Sequence, residues 1–143
     1  MTSVEASSSW ALAGGAQPPR LPEGFDLPRD RMLVMGILNV TPDSFSDGGR
    51  FLDPGAALDH AQEMLYEGAD LVDLGGESTR PNSTRISEDE EWERIGSIIE
   101  RLAASGVVVS VDTLHALTAR RAADAGAAII NDVSGGRWDP QMN

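Results

Sequence analysis

Cysteine and lysine are both missing from this sequence, and each absence excludes something. Without cysteine, disulfides and thiolate metal sites are excluded. Without lysine, the 11 basic residues are all arginines, and against 23 acidic residues they leave a formal net charge of −12. A surface this acidic argues against a nucleic-acid partner, because non-specific nucleic-acid binding relies on positive charge. Any phosphate-bearing substrate must therefore be neutralised locally, by arginines or a metal ion.

Long apolar runs and nucleotide-binding glycine patterns are missing as well. No run approaches the roughly 20 residues needed to span a bilayer. The amino terminus also lacks the basic start and apolar stretch of a secretory signal. We therefore expect a cytoplasmic protein with no membrane partner. Neither GxGxxG nor the P-loop pattern occurs, which weakens a nucleotide-binding interpretation.

What is present falls into two parts. Residues 1–30 are rich in Ser, Ala, Gly and Pro without a sustained period, which predicts a disordered tail. Residues 31–143 repeat a pattern of apolar strand, loop and amphipathic helix, which predicts one domain. The predicted strands are Met32–Leu38, Leu71–Leu74, Val107–Val111 and Ala128–Ile130. The predicted helices begin at Asp53-Pro54, at a capping box from Ser87 and at Leu114, and they end before Gly68, Gly106 and Gly126.

Strands that alternate with helices favour parallel pairing, which leaves a (β/α) barrel or an open doubly wound sheet. Asp139-Pro140 repeats the Asp53-Pro54 helix start, and the sequence stops three residues later. Four strands are half of an eight-stranded barrel, whose typical length is about 250 residues. We therefore expect an α/β fold, the first four βα units of a (β/α)8 TIM barrel, ending within the fourth helix.

Polar residues end each predicted strand, where barrel enzymes place their sites. The first strand runs into Asn39, the second into Asp73-Leu74-Gly75-Gly76-Glu77, the third into Asp112 and the fourth into Asn131. Each could be an ordinary cap or turn residue, but four on one rim favour a polar ligand site. We interpret Asp43 and Asp73 as structural residues, and His60 and His115 as surface or core histidines rather than metal ligands.

Two segments resemble the signature segments of the dihydropteroate synthase family. These are residues 35–49 (MGILNVTPDSFSDGG) and 75–81 (GGESTRP). Residues 110–113 (SVDT) and 130–136 (INDVSGG) resemble that family's third and fourth strand ends, in the same order. The resemblance covers about residues 32–143, and it departs from the family pattern at Asn82, where the family usually has glycine.

The resemblance implies the N-terminal half of a pterin-binding TIM barrel. The family condenses 6-hydroxymethyl-7,8-dihydropterin diphosphate with p-aminobenzoate, giving 7,8-dihydropteroate and diphosphate in folate biosynthesis. The resemblance also implies that the enzyme uses Mg²⁺ as a cofactor and that the full-length protein is a homodimer. Because later strands carry the family's lysine and other ligands, we expect this chain alone to be inactive.

The resemblance also implies roles for individual residues. Asn39 would offer its amide oxygen to Mg²⁺, a cation that prefers oxygen ligands. Asp112 and Asn131 would hydrogen-bond the pterin edge, although helix capping is an alternative for either. The remaining assignments lie in two loops: Asp47 and Arg80 as catalytic, Phe45 and Thr79 as substrate-binding.

Two other functions stay open. A pterin-dependent methyltransferase domain shares the barrel and a similar pocket, but it has no need of the loop at residues 41–49. A non-catalytic pterin-binding half-barrel is the other alternative, and only the missing second half favours it.

Overall fold

The computed structural model of this protein describes residues 27–28, 30–41, 53–78 and 83–143. Within those residues, the strands are β1 (Met35–Asn39), β2 (Leu71–Gly75), β3 (Val109–Asp112) and β4 (Ile129–Asn131). The helices are α1 (Pro54–Tyr66), α2 (Glu88–Ala104) and α3 (Ala116–Asp124), followed by a 3-10 turn at Pro140–Met142. The predicted alternation of strands and helices is confirmed. Most of the predicted tail lies outside the described residues, so its disorder stays a prediction.

The four strands form one parallel sheet in the order β1-β2-β3-β4. Every strand thus pairs with its neighbour along the chain, and a helix connects each pair. The helices pack on one face of the sheet, where the main core lies. From the strands this core takes Leu38, Val72, Leu74, Val109 and Val111, and from the helices Ala57, Leu58, Ala61, Ile95, Ile98, Ile99, Leu102 and Ala122. No helix in the described part of the chain is long and apolar enough to cross a membrane.

The predicted helix starts at Asp53 and Ser87 are confirmed by their hydrogen bonds. Asp53 Oδ1 accepts from the backbone N–H of Gly55 at 2.9 Å, and Ser87 Oγ accepts from that of Glu90 at 3.2 Å. Each bond satisfies one of the N–H groups that a helix start leaves without a partner. Both helices end as predicted before a glycine with positive φ, which Gly68 shows at 113°.

Four element starts differ from the prediction, most of them where another hydrogen bond competes with the regular pattern. β4 begins one residue late, at Ile129. β1 begins three residues late, since the Val34 N–H donates to the Asp70 carboxylate at 2.8 Å. β3 begins two residues late, since the Val107 N–H closes the end of α2 on Leu102 O at 3.1 Å. α3 also begins two residues late, at Ala116.

Asp139 caps two elements at once. One carboxylate oxygen accepts from the N–H of Ala116 at 2.9 Å, at the start of α3, and the other from the N–H of Gln141 at 2.9 Å. These two backbone donors hold the pKa of Asp139 below its usual value. The segment after β4 is thereby tied back to the β3–α3 connection.

Candidate active site

The carboxyl ends of the four strands carry a row of residues that pair across the sheet. Asn39 pairs with Gly75, Gly75 with Asp112, and Asp112 with Asn131. We call these four residues the strand-end row. Neighbouring strands lie about 4.8 Å apart, so the row is a continuous polar strip. Three of the predicted site residues are therefore brought together on one edge of the sheet.

The row faces away from the helices. Side chains alternate along a strand, and Leu38, Leu74 and Val111 point into the helix-facing core. The row residues, one position further along, therefore point to the opposite face. A Cβ added at Gly75 would lie 3.5 Å from Asn39 Oδ1 and 3.8 Å from Asp112 Oδ2. The missing side chain of Gly75 thus leaves room between two ligand-type oxygens.

A second layer lies beneath the row on the same face. Ile37, Asp73, Ser110 and Ile129 pair in register there. Asp73 is only 4% exposed and Ser110 1%. The two layers are joined by a hydrogen bond in which Asn131 Nδ2 donates to Asp73 Oδ2 at 3.0 Å. This contact spans β3, and sequence reasoning did not find it.

Asp112 has the electrostatics of a functional carboxylate. Its Oδ1 is buried without a hydrogen-bond partner among the described residues. Burial, and after it the negative charges of the nearby Asp73 and Glu91 carboxylates, together raise the pKa of Asp112 to about 6. Perturbed carboxylates with free acceptor capacity cluster at binding sites. This one is suited to accept N–H donors from a ligand edge.

A buried network around Glu77 supports the loops that follow β2 and β3. Glu77 pairs with Arg85, and His115 Nε2 lies 3.3 Å from its other carboxylate oxygen. The His115 Nδ1 atom lies 3.9 Å from Glu88, and the Arg85 guanidinium stacks 4.7 Å from the Trp138 ring centre. His115 thereby links the connection after β3 to Glu77 and Glu88. In the sequence, the signal for this network was Glu77, a carboxylate that directly follows Gly75-Gly76 at the end of a buried strand.

The two neighbouring glycines at the end of β2, Gly75 and Gly76, make room for different groups. Only Gly75 belongs to the strand-end row. A Cβ on Gly76 would lie 3.0 Å from Glu91 Cγ and 3.0 Å from Ile95 Cγ2, so its missing side chain makes room for α2. Arg94 Nη1 donates to the Gly76 carbonyl at 2.9 Å, which holds this close contact together.

Four predicted site residues, Phe45, Asp47, Thr79 and Arg80, lie outside the described residues, so their roles stay predictions. A shallow surface depression on α1, lined by residues such as His60 and Tyr66, shares no residue with the strand-end row. It holds no convergent set of buried polar groups, and the row remains the better candidate site.

A family model and the curated relatives of this chain point to the same protein family. A family model described as pterin binding enzyme matches residues 35–143. The dihydropteroate synthase of Bacillus subtilis (strain 168) is 54% identical over 115 residues, which are 80% of this chain and 40% of that relative. The dihydropteroate synthase of Mycobacterium leprae (strain TN) is 55% identical over 109 residues, 76% of this chain and 38% of the relative. The chain therefore spans about two fifths of the length of these curated relatives.

Solved structures agree. Xanthomonas albilineans dihydropteroate synthase with 4-aminobenzoic acid has a TM-score of 0.74 at 49% identity, covering 80% of this chain and 43% of that one. Burkholderia cenocepacia dihydropteroate synthase complexed with 7,8-dihydropteroate has a TM-score of 0.70 at 42% identity, covering 82% and 38%. The fold is that of the first four βα units of a (β/α)8 barrel, as predicted. With the family model matched from β1 onward, the chain belongs to the pterin binding enzyme family.

Proposed function

We propose that this chain supplies the N-terminal half of the active site of a dihydropteroate synthase in folate biosynthesis. The single observation that carries the proposal is the strand-end row, in which the free Asp112 Oδ1 lies beside Asn131. Relatives of about 50% identity that bear this name support it. The whole reaction belongs to the full-length protein, in which later strands complete the site.

The row would hold the pterin ring. One edge of that ring presents N–H donors, much as guanine does, and a carboxylate accepts such donors strongly. Asp112 would accept from this edge, and the Asn131 amide would hydrogen-bond the ring beside it. Binding by two groups on neighbouring strands fixes the ring plane, so that the methylene carbon is presented in one position.

The reaction then exchanges one bond of the methylene carbon for another. The bond from this carbon to the diphosphate oxygen breaks, and diphosphate leaves with the electron pair. The amine of p-aminobenzoate forms the new carbon–nitrogen bond and loses a proton. In this scheme Asp47 stabilises the positive charge on the methylene, and Phe45 lines the p-aminobenzoate pocket. Thr79 and Arg80 bind the substrate from the loop that follows β2.

Mg²⁺ fits the chemistry at the β1 end of the row. Asn39 is exposed and offers one hard oxygen beside Gly75. No cluster of three or more His, Cys, Asp or Glu side chains suited to a metal occurs within the described residues. A single protein oxygen is nevertheless compatible with an ion that keeps several waters and takes phosphate oxygens. When bound, the ion would neutralise charge on the diphosphate.

The proposal also includes a cytoplasmic location and a homodimeric full-length protein. Both rest on the resemblance to the dihydropteroate synthase family.

The test is dihydropteroate formation from the two substrates by the full-length protein that contains these residues. We expect activity, and we expect Asp112→Ala to lose pterin binding at least tenfold in isothermal titration with 6-hydroxymethylpterin. Asp124→Ala, the same change on the exposed end of α3, is the matched control and should bind as wild type. A folded wild-type protein that neither binds the pterin nor makes dihydropteroate would refute the proposal.

A further inference from the structure

Asp73 is a buried carboxylate that the proposed reaction does not use. It lies in the middle of β2 on the same face as the strand-end row, with Ile37 and Ser110 as its register partners. Its relative exposure is 4%, although this face of the sheet leaves Ile37 61% exposed. A carboxylate is costly to bury unless hydrogen bonds compensate for its lost water. The burial of the Asp73 carboxylate between β1 and β3 therefore needs a compensating interaction.

The amide of Asn131 is the side-chain group that compensates it. Asn131 Nδ2 donates to Asp73 Oδ2 at 3.0 Å. An ionised carboxylate can only accept hydrogen bonds, so a flipped amide would set its oxygen against the carboxylate oxygen. Asp73 thus selects one of the two orientations of the Asn131 side chain. With the NH₂ group directed at Asp73, the Asn131 carbonyl oxygen is directed away from it.

The second oxygen of Asp73 adds an independent observation. Asp73 Oδ1 is buried and has no hydrogen-bond partner among the described residues, and the same holds for Asp112 Oδ1 in the row above. The two carboxylates lie close enough for Asp73 to act on Asp112 electrostatically. A purely structural carboxylate would be expected to have both oxygens satisfied. This one instead leaves an acceptor oxygen without a donor on the face that carries the row.

We propose that Asp73 is a positioning residue for pterin binding, which holds the Asn131 amide with its carbonyl oxygen free for the ring. The inference rests on the proposed function and deepens it. Asp112 and Asn131 then present two acceptors side by side. The site accordingly favours a heterocycle edge with adjacent N–H donors over an edge that presents acceptors.

A double-mutant cycle in the full-length protein tests whether Asp73 acts through Asn131. Asp73→Asn keeps the size of the side chain, but its amide can donate as well as accept, so it no longer selects one Asn131 orientation. We expect it to weaken 6-hydroxymethylpterin about tenfold in isothermal titration, and to weaken it far less in the Asn131→Ala background. The KM for pterin diphosphate should rise, while kcat and the KM for p-aminobenzoate stay near wild type.

Ser110→Ala is the matched control, because Ser110 lies in the same layer, is equally buried and makes no hydrogen bond with Asn131 among the described contacts. It should leave pterin affinity near wild type in both backgrounds. Equal losses for Asp73→Asn with and without Asn131 would overturn the positioning role while leaving the proposed function intact. A wild-type protein that does not bind the pterin would instead refute the proposed function.

A measurement on the unmutated protein keeps the inference testable if Asp73→Asn fails to fold. The Asn131 side-chain amide protons, assigned by their absence in Asn131→Ala, should exchange with solvent at least tenfold more slowly than those of the exposed Gln62 on α1. An Asn131 pair that exchanges with solvent as fast as the exposed reference would show that Asp73 does not hold this amide, and would overturn the inference.

Discussion

Asn39 is the exposed end of the strand-end row, and its predicted role can be separated from pterin binding. If its amide oxygen ligates Mg²⁺, Asn39→Ala in the full-length protein should reduce kcat/KM for pterin diphosphate by on the order of tenfold to a hundredfold. Binding of 6-hydroxymethylpterin, which lacks the diphosphate, should change little. Steady-state kinetics and isothermal titration give the two numbers. Parallel losses in both would assign Asn39 to the pterin instead.

Asp112 should make the ligand-free protein less stable at neutral pH. Its pKa is about 6 in the folded state against an ordinary 3.8. Below pH 3.8 the group is protonated in both states and has no effect. Between pH 3.8 and pH 6 the unfolded state releases the proton while the folded state keeps it, so stability falls across this window and is level above it. About two pKa units correspond to roughly 3 kcal/mol, which partial exposure reduces to roughly 1–2 kcal/mol.

Asp112→Asn should therefore stabilise the ligand-free, full-length protein, and the gain should grow from about pH 4 to about pH 7 and then level off. Urea unfolding at several pH values measures it, with Asp124→Asn as the exposed control. The same variant should bind pterin more weakly at pH 8, because the amide offers one acceptor in place of a carboxylate. A stability difference that does not vary with pH would contradict the raised pKa.

At the scale of elements, the close contact between the end of β2 and α2 yields a paired test. Gly76→Ala places a Cβ 3.2 Å from the backbone carbonyl oxygen of Glu91, so the helix must move. We expect a loss of about 1–3 kcal/mol in the free energy of unfolding, typical of overpacking. Gly75→Ala meets only ordinary contacts of 3.5 Å or more and should fold normally. It should weaken pterin binding, because its methyl group enters the row.

Urea unfolding and pterin titration of the two glycine variants separate the roles. Gly76→Ala should shift mainly the unfolding midpoint, and Gly75→Ala mainly the affinity. If Gly76→Ala unfolds as wild type, then α2 is not held against β2 as closely as the structure indicates.

Sequence patterns predicted most of the elements, because their signals are local. The Asp53 and Ser87 caps and the glycine after each helix act within one turn of chain, so the pattern alone placed them. Element starts were less accurate where a distant partner intervenes, as Asp70 does for β1 and Asp139 for α3. In the site, strand ends predicted Asn39, Asp112 and Asn131 as neighbours. The Asp73–Asn131 contact depends on how two non-adjacent strands approach, which no local pattern encodes.

At the scale of the whole molecule, the sheet has two open edges within the described residues. β1 and β4 each pair on one side only, and Ile37 is 61% exposed on the face opposite the helices. Unpaired strand edges and exposed apolar side chains promote association between chains. We therefore expect residues 1–143 expressed alone to aggregate or unfold readily and to make no dihydropteroate.

Size-exclusion chromatography, near-ultraviolet circular dichroism and a synthase assay test this expectation. As a positive control, residues 35–143 can replace the corresponding segment of the Bacillus subtilis relative, which is 54% identical. That chimera should fold and form dihydropteroate, since its later strands complete the barrel. A monodisperse, active product from residues 1–143 alone would contradict the expectation.

The strand order also has a consequence for how the site is assembled during synthesis. Each strand pairs with the one made just before it, so each loop closure is shorter than it would be in a sheet whose strands pair out of chain order. Asn39 can find Gly75, then Asp112 and then Asn131, in the order in which the ribosome releases them. On this view, the strand-end row takes shape during translation. The open edge of each strand, from β1 to β3, is the template that the following strand extends.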